Sequence, residues 1–177
     1  MSKVRVATVW LDGCSGCHMS FLDMDERLIE LAEQIELVYS PLVDPKHFPD
    51  AVDVTLVEGA VSSNEDLEKI RHIREHTNIL VSLGDCAVTA NVPSMRNPFK
   101  VSEVLDRAYI ENATVQPQIP NVSVPTLLSR VRPVHSVVKV DVYVPGCPPS
   151  ADTIYYVLSE LLRGSVPDLS NRTRFGA

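Results

Sequence analysis

Short apolar runs alternate with longer amphipathic stretches along most of the chain. The runs are nearly continuous and rich in β-branched residues, which is typical of strands buried on both faces of a parallel sheet. They predict strands at 4–11, 35–40, 52–59, 78–85 and 137–146. The amphipathic stretches predict helices at 21–35, about 64–76 and 151–164. This alternation predicts an α/β fold, a flavodoxin-like doubly wound parallel sheet of about five strands.

Local signals refine some of these boundaries. Ser62 with Glu65 fits a capping box that opens the second helix, and Gly164 ends the last one. Before the last strand the pattern becomes irregular. Six prolines punctuate residues 91–135, and only 102–110 suggest a short helix. We therefore expect one domain over 1–177, with a Pro-rich insertion at about 91–135 and a loose tail at about 165–177.

Composition narrows the functional classes. The formal net charge is -7 with 16 Lys and Arg residues, which argues against binding to a nucleic-acid backbone. Neither a targeting segment nor an apolar stretch of roughly 18 residues is visible, so we expect a cytoplasmic chain that does not span a membrane. Thiols stay reduced in that compartment, and the four cysteines therefore indicate metal binding or catalysis before disulfides.

The four cysteines follow the carboxyl ends of predicted strands. Cys14 and Cys17 follow the first strand, Cys86 the fourth and Cys147 the fifth. Open α/β sheets bind ligands at this edge, so the spacing predicts one site of four thiolates. Any single buried cysteine is often inert, but that explanation is poor for four cysteines at one edge. A redox dithiol at Cys14 and Cys17 leaves the other two unexplained.

Glycines accompany the cysteines, and we expect backbone N–H groups around Gly13, Gly16 and Gly146 to stabilise sulfur charge. Structural zinc fits four thiolates as well as a 4Fe–4S cluster does. Cys147 is followed by Pro148, a pairing that also occurs in bacterial iron–sulfur motifs, which favours the cluster.

Four motifs, GCSGCHMSFLDMDE, VEGAV, GDC and PGCPPS, occur in this order. Together they resemble the small subunit of nickel–iron hydrogenases, and CSGCHMSFLD resembles that of the soluble, bidirectional NAD-reducing enzymes. The wider superfamily includes the 20 kDa iron–sulfur subunit of NADH–quinone oxidoreductase. The resemblance spans roughly residues 3–163. It implies that Cys14, Cys17, Cys86 and Cys147 bind one 4Fe–4S cluster.

The resemblance also implies a function. The chain is expected to relay electrons from a nickel–iron site on a large subunit to NAD/FMN diaphorase and ferredoxin-like iron–sulfur subunits, in a hydrogen:NAD+ oxidoreductase. The hydrogen-splitting metals are expected on the large subunit. FMN in this chain is disfavoured, because the loop that holds phosphate in flavodoxins carries cysteines here. Two alternatives stay open: a respiratory-type subunit, whose motif begins with adjacent cysteines, and a zinc-stabilised flavodoxin-like binding module.

Other polar residues near the predicted edge are His18, Asp12 and Glu58. His18 is a candidate hydrogen-bond donor to a cluster sulfur or to a partner chain, and the two carboxylates are candidate proton relays. His72 and His76 are four residues apart, a spacing that pairs metal ligands on a helix. Since the sequence shows no third ligand, a solvated helix face is the favoured interpretation there.

Overall fold

The computed structural model describes residues 3–173, which form a five-stranded parallel sheet and a small two-stranded antiparallel sheet. The seven strands in these residues are β1 Val4–Trp10, β2 Ile35–Tyr39, β3 Val52–Glu58, β4 Val61–Ser63, β5 Thr77–Leu83, β6 Leu127–Arg132 and β7 Val142–Val144. The large sheet has the order β2-β1-β3-β5-β7, and all its pairings are parallel. This is the flavodoxin-like order, so the predicted fold class is confirmed.

The described residues form α-helices, most of which pack on the two faces of the large sheet. They are α1 Gly16–Leu22, α2 Arg27–Gln34, α3 Asn64–Glu75, α4 Asp85–Thr89, α5 Val101–Asp106 and α6 Ala151–Leu162. One core cluster contains Phe21, Leu31 and Ile154, so α1, α2 and α6 lie on one face. A second contains Ile70 and Ala87, which places α3 and α4 on the other. Apolar burial on both faces explains why the strands are continuously hydrophobic.

The single helix predicted at 21–35 is wrong. Two helices, α1 and α2, are separated at residues 23–26, where Asp25 has a φ of 49°. A left-handed residue ends the regular helical path, and an aspartate tolerates it better than most residues do. Because Phe21, Met24 and Leu31 all reach the same core cluster, the apolar periodicity continues through the break and conceals it.

The last strand of the sheet is shorter than the predicted 137–146. Pairing with β5 starts at Asp141, whose N–H donates to the Leu80 carbonyl at 2.9 Å and whose carboxylate accepts the Leu80 N–H at 2.9 Å. Before it, Val134–Ser136 form a 3-10 turn, and Val137 and Val138 pack against the second core cluster. Their apolar character therefore reflects burial outside the sheet.

The capping box of α3 lies one residue later than predicted. Ser63, not Ser62, caps the helix: its hydroxyl accepts the Asp66 N–H at 3.1 Å, and the Asp66 carboxylate accepts the Ser63 N–H at 3.0 Å. A shorter aspartate thus does what was predicted for Glu65.

The Pro-rich stretch 91–135 contains more regular structure than expected. It holds a 3-10 helix at Val92–Arg96, α5, a π turn at Arg107–Glu111, and β6, which pairs antiparallel with β4. The predicted short helix at 102–110 corresponds to α5 and the π turn. Residues 174–177 of the predicted loose tail lie outside the described residues. Across 3–173, no helix is both long and apolar enough to cross a bilayer.

Candidate metal centre

All four cysteines line one small pocket of about 70 Å³ at the carboxyl edge of the large sheet. Cys14 lies in the loop after β1, and Cys17 lies in the first turn of α1. Cys86 belongs to α4, directly after β5, and Cys147 follows β7. All four are free thiols. Side chains far apart in the sequence therefore meet because their strands end at the same edge.

Close packing of the cysteine loops depends on glycine at position 84. Gly84 has a φ of +82°, and a Cβ built there would lie 2.3 Å from the Cys17 sulfur. No larger residue fits without moving the sulfur or the backbone. Gly146 has a φ of +141°, and its Cβ would lie 2.7 Å from the Pro149 backbone. Both residues therefore serve the site by their conformation and their lack of a side chain.

Asp85 connects the loops that carry Cys86 and Cys147. Its carboxylate accepts the Gly146 N–H at 2.7 Å, and its own N–H donates to the Gly146 carbonyl at 2.8 Å. The side chain is buried. This carboxylate uses the Gly146 N–H that we expected to face a sulfur, so that expectation is revised for Gly146. No local signal in the sequence marks Asp85 beyond its place before Cys86.

Asp85→Ala is expected to destabilise the chain by about 2 kcal/mol, because it leaves a buried N–H without its charged acceptor. For a chain of this length the thermal midpoint should fall by roughly 4–8 °C. Asp85→Asn keeps an acceptor oxygen and should lose less. The matched control is Asp152→Ala, which removes an exposed carboxylate paired with Arg27 and should cost less than about 1 kcal/mol. Equal midpoints for Asp85→Ala and Asp152→Ala in anaerobic thermal denaturation would contradict this role.

Two N–H groups reach cysteine sulfurs from the start of the Pro-rich stretch. The Asn91 side-chain amide donates to the Cys147 sulfur at 3.5 Å. A hydrogen bond from the Val92 backbone N–H lowers the pKa of Cys86 and so opposes the effect of its burial. The sequence pattern indicated such donors among the glycines and at His18. No pattern in the sequence predicts that residues 91 and 92 lie close to the cysteine sulfurs, so these two donors were missed.

Electrostatics at the pocket favour a cationic ligand. Burial raises the pKa of the Cys17 thiol far above its usual value, and the Glu58 carboxylate and the other three sulfurs raise it further. Burial also raises the pKa of Cys86 to about 11, with added repulsion from Cys147 and Cys14. Four thiolates therefore cannot coexist here without positive charge among them, and bound metal deprotonates thiols outright. The donor set fits a 4Fe–4S cluster, and it also fits zinc.

The candidate His18 is directed toward Glu58. Both residues are buried, His18 Nδ1 lies 2.9 Å from Glu58 Oε2, and the His18 backbone N–H donates to the same oxygen at 2.8 Å. Despite this proximity, neither ring nitrogen of His18 makes a hydrogen bond to the described residues. Trp10 packs edge-on against the ring, with centroids 5.3 Å apart. His18 thus stacks beside the pocket and does not line it.

The two candidate carboxylates differ in position. Glu58 lines the cysteine pocket, while Asp12 does not. Asp12 instead makes a backbone bridge to Ala60, donating at 3.0 Å and accepting at 2.7 Å. Of the two, Glu58 alone lies next to the sulfurs, and its charge acts on Cys17.

Comparison with known proteins places this geometry in a family. The family model described as the 20 kDa subunit of NADH ubiquinone oxidoreductase matches residues 14–161, which include all four cysteines. The NAD-reducing hydrogenase HoxS subunit delta of Cupriavidus necator is 45% identical over 172 residues, covering 94% of this chain and 82% of that protein. The delta subunit of sulfhydrogenase 2 of Pyrococcus furiosus is 31% identical over 164 residues, covering 93% of this chain and 64% of that protein.

Solved structures agree with these relatives. A chain of an NAD+-reducing [NiFe]-hydrogenase in the H2-reduced state superposes with a TM-score of 0.94 at 40% identity, covering 98% of this chain and 99% of that one. A chain of the [NiFeSe]-hydrogenase of Dm. baculatum has a TM-score of 0.61 at 20% identity, covering 99% of this chain and 70% of that one, and shares the fold.

Proposed function

This chain belongs to the NADH ubiquinone oxidoreductase 20 kDa subunit family, in the branch of the NAD-reducing hydrogenase delta subunits, and we propose that it relays electrons through one 4Fe–4S cluster. The convergence of four free thiols from three strand ends on one pocket carries this proposal. When bound, such a cluster supplies one-electron redox chemistry. The relay would run from a nickel–iron site on a large subunit toward NAD-linked subunits.

The residues of this chain would hold and tune the cluster. Cys14, Cys17, Cys86 and Cys147 are the proposed ligands. Asp85 fixes the spacing of two of their loops, and the donors at residues 91 and 92 reach two sulfurs. We further propose that the N–H groups of Gly13 and Gly16, which line the pocket, face sulfur.

The cysteine count supports a single cluster. This sequence contains four cysteines, and the pocket takes all of them. No thiolate of this sequence is left for a second cluster or for a nickel–iron centre. The hydrogen-splitting metals therefore belong to the proposed large subunit. FMN in this chain is disfavoured, since Cys14 in the loop after β1 and Cys17 in the first turn of α1 occupy the place where flavodoxins bind phosphate.

Exposed apolar side chains of α1 and of the end of β1 suggest where the large subunit binds. Met19 and Leu22 of α1 are 66% and 46% exposed, and Trp10 at the end of β1 is 37% exposed. Large exposed apolar side chains are frequent at interaction sites. We propose that this surface faces the large subunit. We also propose a cytoplasmic location, where the reducing environment keeps the thiols free for metal.

Metal analysis after anaerobic co-purification tests the proposal. We expect about four iron and four sulfide per copy of this chain, after subtraction of the partners' content, together with a nickel-bearing partner. One zinc and no sulfide would support the zinc-stabilised binding module instead. A chain that purifies with quinone-reducing partners and no nickel would support the respiratory-type alternative.

Asn91→Ala is expected to lower the reduction potential of the cluster by roughly 20–60 mV. A hydrogen bond to sulfur stabilises the more negative reduced state, and a difference near 1 kcal/mol corresponds to about 40 mV for one electron. The measurement is a potentiometric titration followed by EPR. Ser94→Ala is the control, because Ser94 contacts Asn91 through the backbone carbonyl and no sulfur. An unchanged potential in Asn91→Ala would show that this donor does not tune the cluster.

A further inference from the structure

A second group of metal-binding side chains lies at the C-terminal end of α3. Ligand atoms of His72, Glu75 and His76 all fall within 4.8 Å of one another. The group lies where β5 begins, at the amino edge of the sheet, whereas the cysteines follow the carboxyl ends of the strands. It is therefore separate from the pocket described above. The sequence shows His72 and His76. It does not show how the fold orients them or which carboxylate it brings beside them.

The fold fixes the tautomer of His76. Its Nδ1 lies 2.8 Å from the His72 carbonyl oxygen, which can only accept a hydrogen bond, so Nδ1 carries the proton. Nε2 of the neutral ring is then left with a lone pair. Histidines that bind metals commonly donate the other ring N–H to a backbone carbonyl in this way.

The fold also places a carboxylate next to that lone pair. Asp50 Oδ1, from the connection between β2 and β3, lies 3.1 Å from His76 Nε2. A lone pair and a carboxylate oxygen at this distance repel each other unless a cation lies between them or a proton is added. The same separation is typical of two ligands of one tetrahedral metal ion, for which bonds of about 2.0–2.2 Å are usual.

Ring contacts orient His72 in the same group. Its ring lies 4.3 Å from that of His76, centroid to centroid, and its other side packs edge-on against Phe48 at 6.2 Å. Phe48 belongs to the same connection as Asp50. The aromatic contact holds the His72 ring beside His76, while the carboxylate of Glu75 approaches from the same helix end.

We propose that His72, Glu75, His76 and Asp50 form a binding site for a divalent transition-metal ion of the zinc class. Two imidazoles and two carboxylates suit Zn²⁺, with Ni²⁺ and Co²⁺ as further candidates by ligand type. The bound ion would tie the connection 40–51 to α3. With Asp50 as the proposed fourth ligand, no position would stay open for a substrate, so the role of the ion would be structural.

A zinc titration of the full chain with its cluster in place tests this site, since the cysteines are then occupied. Under anaerobic conditions at about pH 7.5, we expect calorimetry to show one Zn²⁺ bound per chain. His72→Ala and His76→Ala should each weaken binding by roughly tenfold or more, and Asp50→Asn by less. His47→Ala is the matched control, an exposed histidine of the same connection outside the ligand set, and should bind as wild type does.

Two results would overturn the proposal. Binding weaker than about 1 mM in the wild type would show that the contact between His76 and Asp50 does not belong to a metal site. Equal zinc affinity in the wild type and in the double variant His72→Ala/His76→Ala would show that the ion binds elsewhere on the chain.

Discussion

Cys86→Ser is expected to remove the cluster from this chain and to reduce hydrogen-driven NAD reduction by the complex to background. Serine replaces a thiolate by a much poorer iron ligand, and no fifth cysteine exists in this sequence to take its place. Iron and sulfide content, the visible absorption of the cluster and hydrogen-dependent NADH formation measure the effect.

Thr89→Ser serves as the control for this variant. It lies in the same short helix, and the new residue keeps the hydroxyl that donates to the Asp85 carbonyl at 2.8 Å. We expect a normal cluster in it. A Cys86→Ser chain with full iron content and an unaltered EPR signal would mean that Cys86 is not a ligand.

Gly84→Ala is expected to reduce the cluster content almost as much as Cys86→Ser does, although residue 84 is not a proposed ligand. The new methyl group would lie 2.3 Å from the Cys17 sulfur, and the φ of +82° is strained for alanine. Either the Cys17 ligand or the end of β5 must move. We expect loss of most of the bound iron, together with a lower thermal midpoint.

Gly164→Ala separates the effect of backbone strain from the effect of the contact with Cys17. Gly164 has a φ of +75°, and nothing lies within 4 Å of a Cβ built there. This variant therefore carries the backbone cost of roughly 1 kcal/mol without the collision, and it should keep its cluster. Iron loss of equal size in both variants would show that general destabilisation, and not the contact with Cys17, explains the effect.

The sequence was sufficient to predict the sheet and the meeting of the cysteines. Strands buried on both faces give continuous apolar runs, as at β1 and β3, and these runs mark where the strands end. Once the strands are parallel, residues that follow them share one edge. Cys86 and Cys147 could thus be placed together although 61 positions separate them in the numbering.

Features that depend on side chains from distant segments could not be predicted. Asp85 bridges to Gly146, and Asn91 turns back over Cys147, and neither contact has a periodic signal. The pairing of β4 with β6 was missed for a related reason: β4 has three residues, too few to show alternation. The break before α2 was missed because apolar spacing continues across it.

EPR of the hydrogen-reduced complex, compared between wild type and Cys86→Ser, tests the central claim most directly. We predict that the difference spectrum shows one reduced 4Fe–4S cluster, present in the wild type and absent in the variant, while the nickel content of the two complexes is equal. Identical spectra, or a wild-type chain that holds one zinc and no sulfide, would contradict the claim that these four cysteines carry electrons through an iron–sulfur cluster.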